Sequence, residues 1–198
     1  VGEVTAGGTL DRRAVVADLL QDRGELLVVT GLGSPSYDVM AAGDHDRNFY
    51  LWAAMGSAAM VGLGLAQAQP ERPVLVVTGD GEQLMGFGAL ATIAIRKPAN
   101  LSIVVLDNGH FGETGMQPSH AGQGVELSRV AEACGFPEVE RITERQGIEP
   151  LRRRIHAREG LNLAVIKISA VNLPRALPPR DGVYVKNRFR LALGHRPA

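Results

Sequence analysis

Three short apolar runs, each broken off by a glycine- or asparagine-bearing loop, constrain this chain more than any other feature. They are residues 26–30 before Gly31, residues 74–77 before Gly79-Asp80-Gly81, and residues 101–106 before Asp107-Asn108-Gly109. Each run is rich in Val, Leu and Ile and lacks the apolar/polar alternation of a strand with one wet face. Such runs are expected to be buried on both sides, as in a parallel sheet covered by helices. Between them lie helical signals. Val15, Val16, Leu19 and Leu20 follow Asp11 at helical spacing, residues 54–68 form a Gly/Ala-rich stretch, and another helix is expected from about 82 to 97. Weaker patterns place helices near 126–134 and 147–157 and a strand at 163–168. Strands alternating with helices predict an α/β fold, a three-layer α/β/α sandwich around a mostly parallel sheet.

At 198 residues and 45% hydrophobic content, the chain has room for one well-cored domain. That domain is read as residues 10–171, after a flexible N-terminus (1–9) and before an extended, proline-containing C-terminal segment (172–198). Twenty-one basic residues balance 21 acidic ones without a long run of one sign, which argues against nucleic acid or an anionic membrane as partner. The single cysteine, Cys134, cannot close an internal disulfide, and no CxxC pair offers a metal site. No secretory signal and no apolar stretch of about 18 residues is present, so a cytoplasmic setting is expected.

In open parallel sheets, ligands bind outside the carboxyl ends of the strands. The loops 31–36, 79–81 and 107–112 should therefore meet on one edge. Asp80 and Asn108 are 28 positions apart, enough for one helix and one strand, so they should emerge side by side. A carboxylate, an amide oxygen and a main-chain carbonyl make a hard-oxygen set suited to Mg²⁺ or Ca²⁺. Flanking glycines let the backbone approach phosphate oxygens, and a helix N-terminus adds donors. Alone, Gly-Asp-Gly is as readily a helix cap and turn; the pairing with Asn108 favours the cation site.

The stretch GDGEQLMGFGALATIAIRKPANLSIVVLDN resembles the cofactor motif of thiamine diphosphate (TPP) enzymes, which opens with GDG and closes about 30 residues later with an asparagine pair. Here the pair is Asp107-Asn108, and the second member is the one that ligates metal in the family. The resemblance implies Mg²⁺ held by the side chains of Asp80 and Asn108 and the carbonyl of His110. It also sets Gly79, Gly81 and Glu82 in the diphosphate loops. Trp52-Ala53-Ala54-Met55-Gly56 is similar to the family segment that wedges an apolar side chain under the cofactor. Met55 would be the wedge, the Ala53 carbonyl would meet the 4′-amino group, and Gly56 leads into the small-residue helix. GLGSPS occupies the place of the first diphosphate loop, with Gly33 and Ser34 as candidates. Ser36 stands where a dinucleotide fingerprint needs its third glycine, so NAD is discounted.

NFYLWAAMGSAAMVGLGLA and NGHFGETGMQPSH are most like the sulfopyruvate and phosphonopyruvate decarboxylases of that family. This likeness implies decarboxylation of a small 2-oxo acid, with His110 and His120 as candidate proton carriers. It also implies an activating glutamate on a pyrimidine-binding domain, which is not read in these residues. A separate pyrimidine-binding α subunit and a hetero-oligomer are therefore expected, with this chain as the β subunit. A TPP-dependent carboligase, an oxidative decarboxylase half and a non-catalytic cofactor-binding subunit remain as alternatives.

Overall fold

The computed structural model describes residues 8–196; most of the expected flexible N-terminus lies outside them. In chain order the first elements are α1 (Arg12–Leu20), β1 (Leu27–Thr30), α2 (Ser34–Ala41), β2 (Asn48–Tyr50), α3 (Ala58–Ala68) and β3 (Val74–Gly79). Next come α4 (Asp80–Met85), α5 (Ala89–Arg96), β4 (Leu101–Asp107) and a small hairpin of β5 (His110–Phe111) and β6 (Gln117–Pro118). The chain continues through α6 (Leu127–Cys134), β7 (Glu138–Ile142), α7 (Ile148–Ala157), β8 (Asn162–Lys167) and α8 (Gly182–Ala192).

Six strands form one sheet in the order β2-β1-β3-β4-β8-β7, every neighbouring pair parallel. The apolar runs are explained by its two covered faces. Leu27, Val29, Val74, Val76, Ile103 and Val165 enter one core, with α3, α5 and α6. Val28, Leu75, Val77, Val104 and Ile166 enter the other, with α1, α2 and α7. The α/β/α expectation therefore holds. From β1 the chain goes to β2 on one side and then to β3 on the other. This reversal opens a crevice at the carboxyl ends of β1 and β3, the switch point where such sheets bind ligands.

Asp11 caps α1 as expected, its Oδ1 accepting the Ala14 N–H at 2.8 Å. Other boundaries differ. The loop after β1 ends early, because α2 starts at Ser34 with Pro35 in its first turn; proline there pre-sets helical φ at no cost in hydrogen bonds. The helix expected over 54–68 begins only at Ala58, and the one expected over 82–97 is two helices separated at Gly86-Phe87-Gly88. Asp80 and Gly81 lie inside the first turn of α4 rather than in a loop. The edge strands β2 and β7 escaped the sequence reading because they are short and, in β7, largely charged. The extended C-terminal segment also needs correction. It is irregular only as far as residue 181 and then forms α8, capped by Asp181, which accepts from the N–H groups of Val183 and Tyr184. Phe189 of α8 packs edge-on against Phe49 at 5.5 Å, covering the β2 side of the sheet. Among the described residues, no helix is long and apolar enough to cross a membrane.

Candidate functional site

The three glycine-bearing loops do meet. They enclose a cavity at the switch point whose lining includes Ser34, Met55, Asp80, Gly81, Asn108 and His110.

Asp80 begins α4 and is only 2% exposed. Burial is the main influence on its carboxyl, raising it from 3.8 to about 6; a hydrogen bond from Ser119 opposes the rise and the charge of Asp107 adds to it. The Ser119 hydroxyl donates to Asp80 Oδ2. Ser119 is itself held by its N–H to the Gly109 carbonyl (2.8 Å) and by the Gly122 N–H to its Oγ (3.3 Å). Sequence reading missed Ser119, which lies 39 residues from Asp80 and reaches it only through the β5–β6 hairpin.

Asn108 is buried, and its Oδ1 accepts the His110 N–H at 2.9 Å, while the His110 ring Nδ1 lies 2.8 Å from the Asn108 carbonyl. The residue before it is equally ordered. Asp107 Oδ1 accepts the Gly109 N–H at 2.9 Å and its Oδ2 pairs with Lys167 Nζ at 2.8 Å, both side chains buried. Lys167 thus supplies the counter-charge that an aspartate needs at this place.

Met55 projects at the cavity mouth and is 57% exposed. Its loop is unusual: Ala53 and Ala54 have φ of 61° and 48°, and Gly56 has 87°. Left-handed backbone at a non-glycine residue costs roughly 1–3 kcal/mol, so something must hold these turns. Part of the hold comes from Glu82, whose Oε1 accepts the Gly56 N–H at 2.8 Å and the Ala58 N–H at 3.4 Å. Its Oε2 accepts the Thr78 hydroxyl. Glu82 lines the cavity, and its carboxylate is engaged by the protein. Further hold comes from the Ser57 N–H to the Ala54 carbonyl (3.0 Å) and from a backbone-to-backbone contact, since a Cβ on Gly86 would collide with the Gly56 carbonyl. Gly86→Ala is therefore expected to destabilise the fold by about 1–3 kcal/mol, by forcing main chain apart where no side chain can yield. Urea denaturation measures it, and an unchanged midpoint would count against the contact.

Gly33, with φ of 83°, precedes α2, and a Cβ there would lie 2.9 Å from Glu113 Cγ. Glu113 is taken up by Arg175 (3.0 Å) and the Tyr37 hydroxyl (3.4 Å). His120 is exposed, edge-on to the Phe111 ring at 6.4 Å, and is not among the residues that line the cavity. Of the two histidines, only His110 faces it. Ala53 is likewise in the Met55 loop rather than in the lining.

Residues 37–168 match the family model described as "Thiamine pyrophosphate enzyme, C-terminal TPP binding domain". The chain belongs to this family. This TPP-binding domain is 36% identical to the sulfopyruvate decarboxylase subunit beta of Methanocaldococcus jannaschii, over 63% of this chain and 66% of the relative. It is 38% identical to the phosphonopyruvate decarboxylase of Streptomyces viridochromogenes, over 86% of this chain and 43% of the relative. The chain thus spans about two thirds of one curated relative's length and less than half of the other's. Among solved structures, benzoylformate decarboxylase from Polynucleobacter necessarius shares the fold at a TM-score of 0.69 and 18% identity, over 83% of this chain and 34% of that one. A 2-oxoglutarate:ferredoxin oxidoreductase from Magnetococcus marinus shares it at 0.67 and 16% identity, over 100% of this chain and 81% of that one.

In this TPP-binding domain the oxygen donors of Asp80 and Asn108, which line one cavity, fit a hard cation. Asp80 is a buried carboxylate whose raised pKa marks insufficient compensation of its charge. Among the described residues, no group of three His, Cys, Asp or Glu side chains gathers to hold a metal. A cation at Asp80 and Asn108 would therefore draw on amide, main-chain or ligand oxygens beside a single carboxylate, donors that hard cations accept.

Proposed function

We propose that this chain is the diphosphate- and metal-binding subunit of a TPP-dependent 2-oxo acid decarboxylase of the sulfopyruvate or phosphonopyruvate type. Asp80, Asn108 and the His110 carbonyl hold Mg²⁺; Gly33, Ser34, Gly79 and Gly81 receive the diphosphate; Met55, Ala53 and Gly56 shape the ring end. The observation that carries this reading is the buried Asp80 beside Asn108 in the switch-point cavity, with Met55 at its mouth. TPP supplies the electron sink that lets a 2-oxo acid lose CO₂. The protein orients the cofactor and shields the site, and His110 is the group placed to carry a proton.

The separate pyrimidine-binding subunit is supported by the three other carboxylates that line the cavity. Glu82 is bonded to Gly56, Ala58 and Thr78, Glu113 to Arg175 and Tyr37, and buried Asp38 is paired with Arg12 and Arg13, so none is free to activate the aminopyrimidine ring. The "subunit beta" relatives support it further. The site is then completed at the interface of a hetero-oligomer.

The test is CO₂ release from sulfopyruvate, phosphonopyruvate and pyruvate, with TPP and Mg²⁺, by the chain alone and with its pyrimidine-binding partner. Activity is expected only with the partner. Full activity of the chain alone overturns the divided site, and release that requires an electron acceptor favours an oxidative decarboxylase half. Condensation products without net aldehyde favour a carboligase. TPP binding without turnover of any 2-oxo acid favours a non-catalytic subunit.

A further inference from the structure

We infer that Glu82 is a positioning residue, which sets the loop bearing Ala53 and Met55 in the shape that receives the rings of the cofactor. The inference deepens the TPP reading of this cavity and rests on it. Glu82 stands at the junction of three cavity segments. One carboxylate oxygen accepts the Gly56 and Ala58 N–H groups beyond Met55, and the other accepts the Thr78 hydroxyl at the end of β3. The loop after β1 closes over the same carboxylate, because a Cβ on Gly31 would meet Glu82 Oε2. The Met55 loop has three consecutive-to-adjacent left-handed residues, Ala53, Ala54 and Gly56, and its side chains are exposed at 53, 54 and 55. Packing therefore does little to hold its outer part, and the acceptor at Glu82 ties its two far N–H groups to the sheet.

The position of Glu82 predicts an asymmetric effect. It acts on the ring end of the cavity and not on the cation ligands, so its loss should harm TPP binding but spare a ligand that has only the diphosphate. In the assembled protein with Mg²⁺, Glu82→Ala is expected to weaken TPP by about tenfold or more, the scale of lost charge-assisted hydrogen bonds. Inorganic pyrophosphate should change by less than about threefold under the same reasoning. Glu82→Gln keeps one acceptor oxygen for Gly56 and Ala58 and should remain near wild type. Hydrogen exchange of the wild-type protein gives a check that no variant's folding can spoil: the Gly56 and Ala58 amides should be protected relative to that of Ala54. Equal losses for TPP and pyrophosphate, no loss for either, or unprotected amides at 56 and 58 overturn the inference while leaving the cofactor reading intact. A wild type that binds neither ligand overturns the cofactor reading itself, and the role of Glu82 with it.

Discussion

Asparagine in place of Asp80 is expected to make the ligand-free chain more stable at neutral pH and unable to bind TPP with Mg²⁺. Burial raises this carboxyl from 3.8 to about 6, so its ionised form is disfavoured in the folded chain. A group with a raised folded pKa contributes nothing unfavourable below its unfolded value, because both states then carry the proton. The cost grows as pH rises from 3.8 to about 6 and is complete above that window. Over this window it amounts to about 3 kcal/mol at 1.36 kcal/mol per unit. Asp80→Asn keeps an oxygen for the Ser119 hydroxyl but removes the charge. Its stability advantage over wild type should therefore be near zero at pH 4 and about 3 kcal/mol at pH 7. TPP with Mg²⁺ should invert the order, since only wild type gains from a ligand bound to the native state. Urea denaturation at several pH values, with and without the ligands, makes the comparison. A variant less stable than wild type at pH 7 without ligand would refute the account.

The second large effect is expected at Lys167. Its ammonium and the Asp107 carboxylate lie 2.8 Å apart, with only 7% and 5% of these residues exposed. Removing one member of a buried pair leaves the other charged and unsolvated, which costs about 3–5 kcal/mol. Lys167→Met should lose about that much stability. Asp107→Asn on the same background should recover most of it, because the amide oxygen still accepts the Gly109 N–H while the stranded charge is gone. The double variant would also carry an asparagine pair at 107–108. A double-mutant cycle read by urea denaturation isolates the coupling. A loss below about 1 kcal/mol for Lys167→Met, or no recovery in the double variant, would show the pair to be incidental.

These two sites divide cleanly by how far they could be read along the chain. Asp80 and Asn108 were legible because each sits at the end of an apolar run, and parallel strands joined by one helix must deliver both to the same edge. Asp107 looked only like a departure from an asparagine pair, because its reason is Lys167, 60 residues away at the end of the neighbouring strand. Ser119 and Glu82 follow the same rule: one reaches Asp80 through a hairpin of two-residue strands, the other accepts the N–H of Gly56, 26 residues earlier. Two missed helices did carry local signals. Pro35 stands in the first turn of α2, and Asp181 caps α8, but glycines around the first and prolines before the second masked the pattern.

Apolar runs without alternation determined the layered α/β fold, because a strand buried on both faces can have no wet side. Gly-Asp-Gly and Asn108 at their spacing likewise determined that Asp80 and Asn108 meet at one edge of the sheet, the place proposed above for a cation. The tertiary structure alone decided what surrounds those groups: the serine on Asp80, the lysine behind Asp107 and the glutamate bracing the Met55 loop. Each joins residues 26 to 60 positions apart. Hydrogen bonds and ion pairs act over about 3 Å and leave no periodic trace in the chain. Only the folded backbone brings such partners within that range.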